Sequence, residues 1–550
     1  MVWYNMIMAV TPNTDLYLLQ CPIELDERNQ INFSTADAQF NYFYNLPKLE
    51  AENFTYQRKD NIIRFPAHID SLLAYTYVMY RNTNYGSKWF YAYITDMQYI
   101  NDNMTAITIS TDVWQTWCFN LSIKKSFVER EHVSNDAIGQ HTVPEGLEYG
   151  EYVCNAEQSY DSASPNTSTG PYNLYACIQT TYNYGVGGDR IYNGIFQGSY
   201  VYAFPYNLEG LTGLQILITN LDAIGRGEAI ISLFMIPRDI TTWNQVTIHL
   251  HDKDGNPTGS TIPAYVPSTT WGAKLMHLET LYINSTINGY TPKNNKLFVA
   301  PYNFIQVSNH VGQASEYNYE DFDIPSRADF NVYGAFSQGG SFMSVPYNYK
   351  KVGSTSSLAY VDYGVSGAKY PQLSWLSDYY LNWQAQNGAN IAVQATQSAV
   401  NFGLSTAGAM MGKEPSYGVR SLADDVASIA LQIRQAKMTP DNIRGNIATG
   451  DVILSMKQYG FTYRKMSIKY EYARIIDEYF SMFGYKVNTC KIPQFTSRRN
   501  WNYIRTRGIA IEAQIPQADL QSIKDIFNNG VTMWHNPSTF MDYSQSNNIV

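Results

Sequence analysis

Four groups of residues carry types and spacings that could do chemistry. His249 and His251, two apart on a segment that alternates like a strand, would present two imidazoles to one face, as a metal site could use. No third ligand accompanies them, so they read as a solvated strand face. Asp252-Lys253-Asp254-Gly255-Asn256 begins like a calcium loop. The EF-hand pattern wants Gly at its sixth position and Glu at its twelfth, where Pro257 and Pro263 stand. An Asp-Gly turn between strands is the reading that remains. Glu129 and Glu131 in Glu129-Arg130-Glu131-His132 could be general acid and base. Acid–base hydrolysis needs two carboxylates in different environments around a cleft, and neighbours on one strand face offer no evident means of separating their pKa values. Structural ion pairing is the expectation. Finally, Arg498, Arg499, Arg505 and Arg507 interleave with Trp501 and Tyr503. On a strand, Trp501, Tyr503, Arg505 and Arg507 fall on one face, a surface that could stack bases and hold phosphates, or meet acidic neighbours at an interface.

The rest of the chain offers no catalytic signature: GxSxG, P-loop, HExxH and a GxGxxG in a suitable context are all missing. Cys21, Cys118, Cys154, Cys177 and Cys490 are odd in number, scattered and without CxxC spacing, which argues against a disulfide framework and a zinc site. No cofactor is implied, and an enzyme is not expected. The net charge is −9 over 550 residues, of which only 15% are charged, so the basic footprint of a nucleic-acid binder is absent. An acidic wall would repel a polyanion, which suits a conduit that must not hold its cargo.

These residues must be positioned largely by strands. The 46 Tyr against 24 Phe favour pleated, half-buried surfaces and subunit interfaces. The apolar start over residues 1–10 lacks a basic n-region and a cleavage site and reads as a strand. Trp89 to Ile94 and Ile107 to Ser110 alternate on either side of an Asn-Asp-Asn turn at 101–103, which predicts an aromatic hairpin. From about 161 to 314, Gly, Asn, Thr and Pro clusters separate short strands, a texture that suggests an inserted β-rich unit. Helix is expected late: from near Ser374; over Ser421 to Lys437, with Leu422, Val426, Ile429, Ala430 and Ile433 at helical spacing; and over Lys469 to Phe483, with Ile475, Ile476, Tyr479 and Phe480 on one side and Gly484 as the stop. Strands at 486–491 and 501–513, a helix at 517–527 and a strand at 531–534 complete an α-β-β-α-β tail that allows a small split-βαβ layer.

One stretch breaks the soluble texture. Between Asp378 and Lys413 lie 34 consecutive residues without a charge. Gln, Asn, Ser and Thr interrupt it too often for a constitutive membrane span, and it is too long for an ordinary loop. A buried helical hairpin, or an Ala/Gly-rich seam between subunits, would account for its small residues. A helix, a Gly-rich tip at 403–412 and a second helix, projecting from a β body, fits the residues better. Several copies could then bury one another's apolar faces.

Several blocks resemble one family. They are Tyr85-Gly86-Ser87-Lys88-Trp89-Phe90-Tyr91-Ala92, Asp112-Val113-Trp114-Gln115-Thr116-Trp117, Phe127 to Val133, Glu145 to Gly150, Phe483 to Asn488, and Asp519-Leu520 through Ile526 to His535. In this order they resemble the tail knob, or distal tail tube, protein of small short-tailed phages with protein-primed genomes. The resemblance implies a virion protein at the distal end of the tail, mainly β with some α. It implies a β-rich tube domain assembled as a homo-hexameric ring, whose lumen passes phage DNA without specific binding. The tube domain would comprise 1–160 and 315–550, including a helix–loop–helix at 374–437, with 161–314 inserted as a knob. The apolar tip would first plug the channel and then enter the host membrane; Ile391, Val393, Val400, Phe402, Leu404, Ala407, Ala409, Met410 and Met411 are its expected membrane-active residues. Other tail proteins of the collar or proximal tube, the host membrane and a host surface receptor are the implied partners. Two other classes remain open: a tail enzyme that degrades cell wall or glycan, and a receptor- or glycan-binding module in 161–314.

Overall fold

The computed structural model describes residues 14–54, 61–83, 86–161, 173–192, 195–268, 273–336, 340–350, 363–370, 372–373, 375–377, 442–444 and 460–550. The expected strand over residues 1–10 lies outside them. The chain divides into two compact units, one made of 1–150, 290–297 and 470–550, the other of 151–289 and 298–469.

The first unit holds a six-stranded antiparallel sheet in the order 48–54, 14–19, 77–82, 89–101, 104–111, 62–65. The predicted aromatic hairpin is its 89–101 and 104–111 pair. Period-two alternation buries both faces: Leu16, Leu18, Val78 and Ile107 pack on one side, and Tyr17, Leu19, Tyr77, Met79 and Tyr91 on the other. Helix α1 (Ala36–Tyr44) covers the second face, capped by the Thr35 hydroxyl, which accepts from the Ala38 N–H, and anchored by Phe43 stacked on Tyr77 at 5.4 Å. The short helix α2 (Val113–Trp117) is capped by Asp112, whose carboxylate accepts from the Gln115 N–H at 2.9 Å.

A second sheet in this unit runs 29–31, 531–534, 501–507, 126–131, 485–491. The α-β-β-α-β order of the tail is present, but not as a split βαβ layer. Helix α5 (Gln517–Asn529) joins strands 501–507 and 531–534, which lie side by side and antiparallel, and the strand beyond comes from 126–131. The expected single strand 501–513 also breaks in two, because Gly508 adopts φ +70° and redirects 511–513 to pair with 121–123.

In the second unit, strands 243–251, 257–267, 195–205, 174–180, 230–237 and 372–373 form one sheet, with 189–192 alongside 195–205. Helix α3 (Leu208–Ala223) packs Leu214, Leu217 and Leu221 against Ile178, Tyr202 and Phe204. This helix stands where only strands were expected. Its signals were Asn207, whose side chain caps the Gly210 N–H, and leucines at helical spacing. Two four-stranded sheets follow, 152–161, 460–468, 303–308, 314–317 and 273–282, 327–335, 341–347, 365–369.

Strand pairing crosses the bounds expected for the insertion. Strands 273–282 and 303–308 belong to the segment read as an insertion, 161–314, yet they pair with 327–335 and 460–468 outside it. Among the described residues of the segment, 174–267 closes on itself, apart from its edge strand 372–373. Gly, Asn, Thr and Pro clusters report turn density, whereas sheet membership is decided by backbone pairing between segments far apart in sequence.

Candidate functional site

In the second unit His249 and His251 lie on strand 243–251. His251 Nδ1 is 2.7 Å from the Tyr182 hydroxyl, and His249 is exposed. Asp252 folds the turn after them: its carboxylate accepts the N–H groups of Asp254 at 3.0 Å and Asn256 at 2.8 Å, with Gly255 at φ +82°. The Asp-Gly turn is as expected.

The charged motif 129–132 lies in the first unit, on strand 126–131, where three of the resembling segments meet: 127–133, 145–150 and 483–488. Arg505 pairs with Arg130 and Thr506 with Val128, so Glu129 bulges out and the alternation of the strand breaks there. Glu129 then joins the exposed Arg505 and Arg507, at 3.8 and 2.8 Å, and the Arg507 hydrogen bond holds its carboxyl below the usual range. Glu131 points into the interior and pairs with Lys491. Burial raises its pKa, and the Lys491 contact only partly offsets this. The two carboxylates thus titrate apart, which the sequence did not disclose, yet each is committed to a cation. The expected ion pairing is what the structure contains.

The expected one-face array of Trp501, Tyr503, Arg505 and Arg507 does not form a stacking surface. Trp501 is 1% exposed and packs on Trp534 at 5.0 Å and Tyr543 at 5.2 Å. Tyr503 is half-buried, and the exposed Arg505 and Arg507 both meet Glu129.

Beneath this strand sits a buried ionic cluster. Glu145 has no side-chain exposure and pairs with both Arg130 and Lys296, and its Oε1 also accepts the Lys486 N–H at 3.0 Å. Arg130 donates to the Gly484 carbonyl at 2.7 Å and lies over the Tyr479 ring. Lys296 donates to the Val143 carbonyl at 2.9 Å; burial lowers its pKa, against the pull of Glu145. Breaking one partner of such a cluster leaves an uncompensated buried charge. Gly484 makes the crossing possible: at φ +64°, a Cβ there would sit 2.2 Å from the Glu131 carbonyl oxygen.

Asp477, on helix α4 (Tyr470–Phe483), holds the returning segment 290–297. It accepts the Tyr290 hydroxyl at 2.8 Å, the Lys293 N–H at 2.7 Å, the Asn294 N–H at 3.0 Å and Asn294 Nδ2 at 2.8 Å. Of the four residues expected on one side, Ile475, Ile476, Tyr479 and Phe480, the structure buries Ile476 and Phe480, together with Ala473 and Asp477, and leaves Ile475 56% exposed. A carboxylate at a core position of an amphipathic helix was the available signal for this anchor.

His132 is buried and held neutral. Its Nδ1 accepts the Tyr503 N–H at 2.8 Å, so the ring proton lies on Nε2, which donates to the Ser481 carbonyl at 3.1 Å. Burial, reinforced by the Arg498 and Arg130 charges, lowers its pKa to about 3. It cannot act as a base toward a substrate, because both nitrogens are taken by the backbone.

The expected membrane-active residues Ile391, Val393, Val400, Phe402, Leu404, Ala407, Ala409, Met410 and Met411 lie outside the described residues, as do the helices expected over 378–437. The described flank corrects the start of the first: Trp375–Ser377 is a strand, paired antiparallel with Asn442–Arg444. The two ends of segment 378–441 are therefore held side by side.

Comparison with known proteins places the chain. The family model described as "Bacillus phage phi29, Tail knob protein gp9, C-terminal domain" matches residues 267–548, and the chain belongs to this family of phage tail knob proteins. A second model, "Caudoviral major tail protein N-terminus", matches residues 13–122. The tail knob protein gp9 of Bacillus phage PZA is 26% identical, covering 94% of this chain and 96% of the relative. That of Bacillus phage phi29 is also 26% identical, covering 97% and 98%. The tail knob protein gp12 of bacteriophage C1 shares the fold at 14% identity, with a TM-score of 0.66 over 98% of this chain and 100% of that one. The chain is a structural component of the virion, located at the end of the tail.

Proposed function

We propose that this protein forms the distal tip of a short tail as a homo-hexameric ring, closes the DNA channel before infection and conducts the genome through the host envelope. In this reading the uncharged residues 379–412 are the plug and the membrane-active element, arranged as a helical hairpin with an apolar tip. The observation that carries it is the ladder of Trp375–Ser377 with Asn442–Arg444. A segment whose two flanks are paired with each other suits a projecting element, and the uncharged stretch lies between those flanks. Contiguous apolar surface of this kind needs sequestering until use, and neighbouring copies in a ring supply the cover. The net charge of −9 per chain, multiplied around a ring, keeps DNA from adhering to the wall. The wall is assigned to the first unit, where the tail-protein match at 13–122 falls, together with the sheets of 273–369 and 460–468. The seven-stranded sheet within 174–267 is assigned to the knob, where contact with a host receptor would occur. The collar or proximal tube proteins of the tail are the further partners.

The test is dye release from anionic liposomes by the intact chain and by a chain lacking residues 385–412, each first imaged for rings. Leakage confined to the intact chain supports the membrane role. Equal leakage from both removes it, and particles that are never rings remove the hexamer.

A further inference from the structure

We propose that the cavity beneath Arg498 in the first unit is a binding site for a small oxyanion of the phosphate class. The side chain of Arg498 belongs to a residue only 8% exposed, and its Nε is buried without a hydrogen-bond partner among the described residues. Its guanidinium enters none of the ion pairs there. The other buried guanidinium of the unit, Arg130, has Glu145 and the Gly484 carbonyl. The carboxylate whose charge reaches Arg498, Asp136, is already bonded by the Asn295 N–H at 3.0 Å and the Tyr485 hydroxyl at 2.7 Å. A buried cation is ordinarily paired, and a buried donor left without a partner points to a missing acceptor.

Arg498 also lines a cavity with room for a counter-anion of its guanidinium. A cavity of about 240 Å³ is lined by Arg498, Lys293, Asn294, His132, Trp501 and the segment 543–548. The segment is a fixed wall. Asn547 Oδ1 accepts the N–H groups of Asn500 at 2.9 Å and Trp501 at 3.1 Å, its Nδ2 donates to the Trp501 carbonyl at 2.8 Å, and the Asn548 carbonyl accepts the Arg499 N–H at 3.0 Å. His132 adds no charge, because its one proton is given to Ser481. The planar guanidinium fork matches the oxygens of a phosphate or carboxylate in pairs. The exposed Lys293 also lines the cavity, and its flexible ammonium would offer a second cation, favouring a doubly charged anion over a single carboxylate. The volume admits a small oxyanion with its bridging waters and no polymer. Bound there, the anion would tie the C-terminal arm to the strand that starts at Trp501.

The experiment is equilibrium dialysis of the full chain with radiolabelled inorganic phosphate, alongside thermal unfolding in phosphate, acetate and chloride at equal ionic strength. The wild type is expected to take up phosphate saturably, and to melt higher in phosphate than in chloride or acetate, since a ligand specific to the native state stabilises it by mass action. Arg498→Gln should weaken phosphate by about 10- to 100-fold, the worth of a charge-assisted contact, and Lys293→Gln less. Arg498→Lys, which keeps the charge without the fork, should recover only part of the loss. Should Arg498→Gln not fold, Lys293→Gln and the wild-type melting shifts still decide. No saturable uptake by the wild type, unchanged affinity in the folded variants, or acetate acting as well as phosphate would each overturn the proposal.

Discussion

Replacing His132 with asparagine should flatten the acid dependence of the sheet that contains strand 501–507. The imidazole titrates at about 3 in the folded chain against 6.5 when unperturbed, because burial and the Arg498 charge oppose its protonation. Between those values the unfolded chain binds a proton that the folded chain does not. Stability contributed by this residue is therefore complete above the unperturbed value and is lost as the pH falls below it. The limiting slope is about 1.4 kcal/mol per pH unit, and since the unfolded imidazole is already half protonated at pH 6.5, the loss between pH 6.5 and pH 5 is about 1.7 kcal/mol, or a roughly 16-fold rise in opening. Asparagine keeps an oxygen for the Tyr503 N–H and does not titrate. The Ser481 carbonyl, losing the imidazole, retains the Trp501 indole N–H at 3.2 Å. Glu131 and Asp136 act in the opposite sense, since burial raises their pKa values and protonation on acidification favours the folded form. They are common to both proteins, so the difference between the two pH profiles isolates His132. The assay is hydrogen–deuterium exchange of peptides covering 501–507, corrected for intrinsic rates, from pH 7 to pH 5. Wild type should lose protection steeply relative to His132→Asn. Parallel profiles would refute both the neutral-histidine assignment and the proton count derived from it.

Two further substitutions probe the same unit. Glu145→Gln leaves Arg130 and Lys296 buried without a counter-charge and should cost about 3–5 kcal/mol in urea unfolding; a loss under about 1 kcal/mol, the range of an exposed pair, would mean that the cluster is hydrated. Gly484→Ala meets both a positive φ and a backbone oxygen 2.2 Å from the new Cβ. It should destabilise by more than the roughly 1 kcal/mol of the backbone conformation alone, seen as a lower melting temperature and poorer soluble yield.

Elements whose signal is local were legible. The 89–111 hairpin, the helix ending at Gly484, the α-β-β-α-β order of the tail and the Asp252–Asn256 turn each rest on alternation, helical spacing or turn residues within a few positions. Helix α3 was missed although its cap and leucines are equally local, because the turn-rich composition around it was read as strand throughout. The assignment to Glu129 and Glu131 of a shared face failed for a different reason. A bulge is set by the partner strand, and nothing in 126–131 alone announces it.

The sequence by itself determined the class: a β-rich, acidic chain without catalytic motifs, whose ordered blocks resemble a phage tail knob, with one uncharged stretch set apart from the rest. Tertiary structure decided which charges are buried, which strands share a sheet, and where the units divide. Glu145, Lys296 and Asp477 are ordinary charged residues in the sequence, and each becomes an anchor only because segments some 150 to 340 positions apart close on it. Burial and pairing are properties of what a residue meets, and for these residues every decisive neighbour comes from another part of the chain.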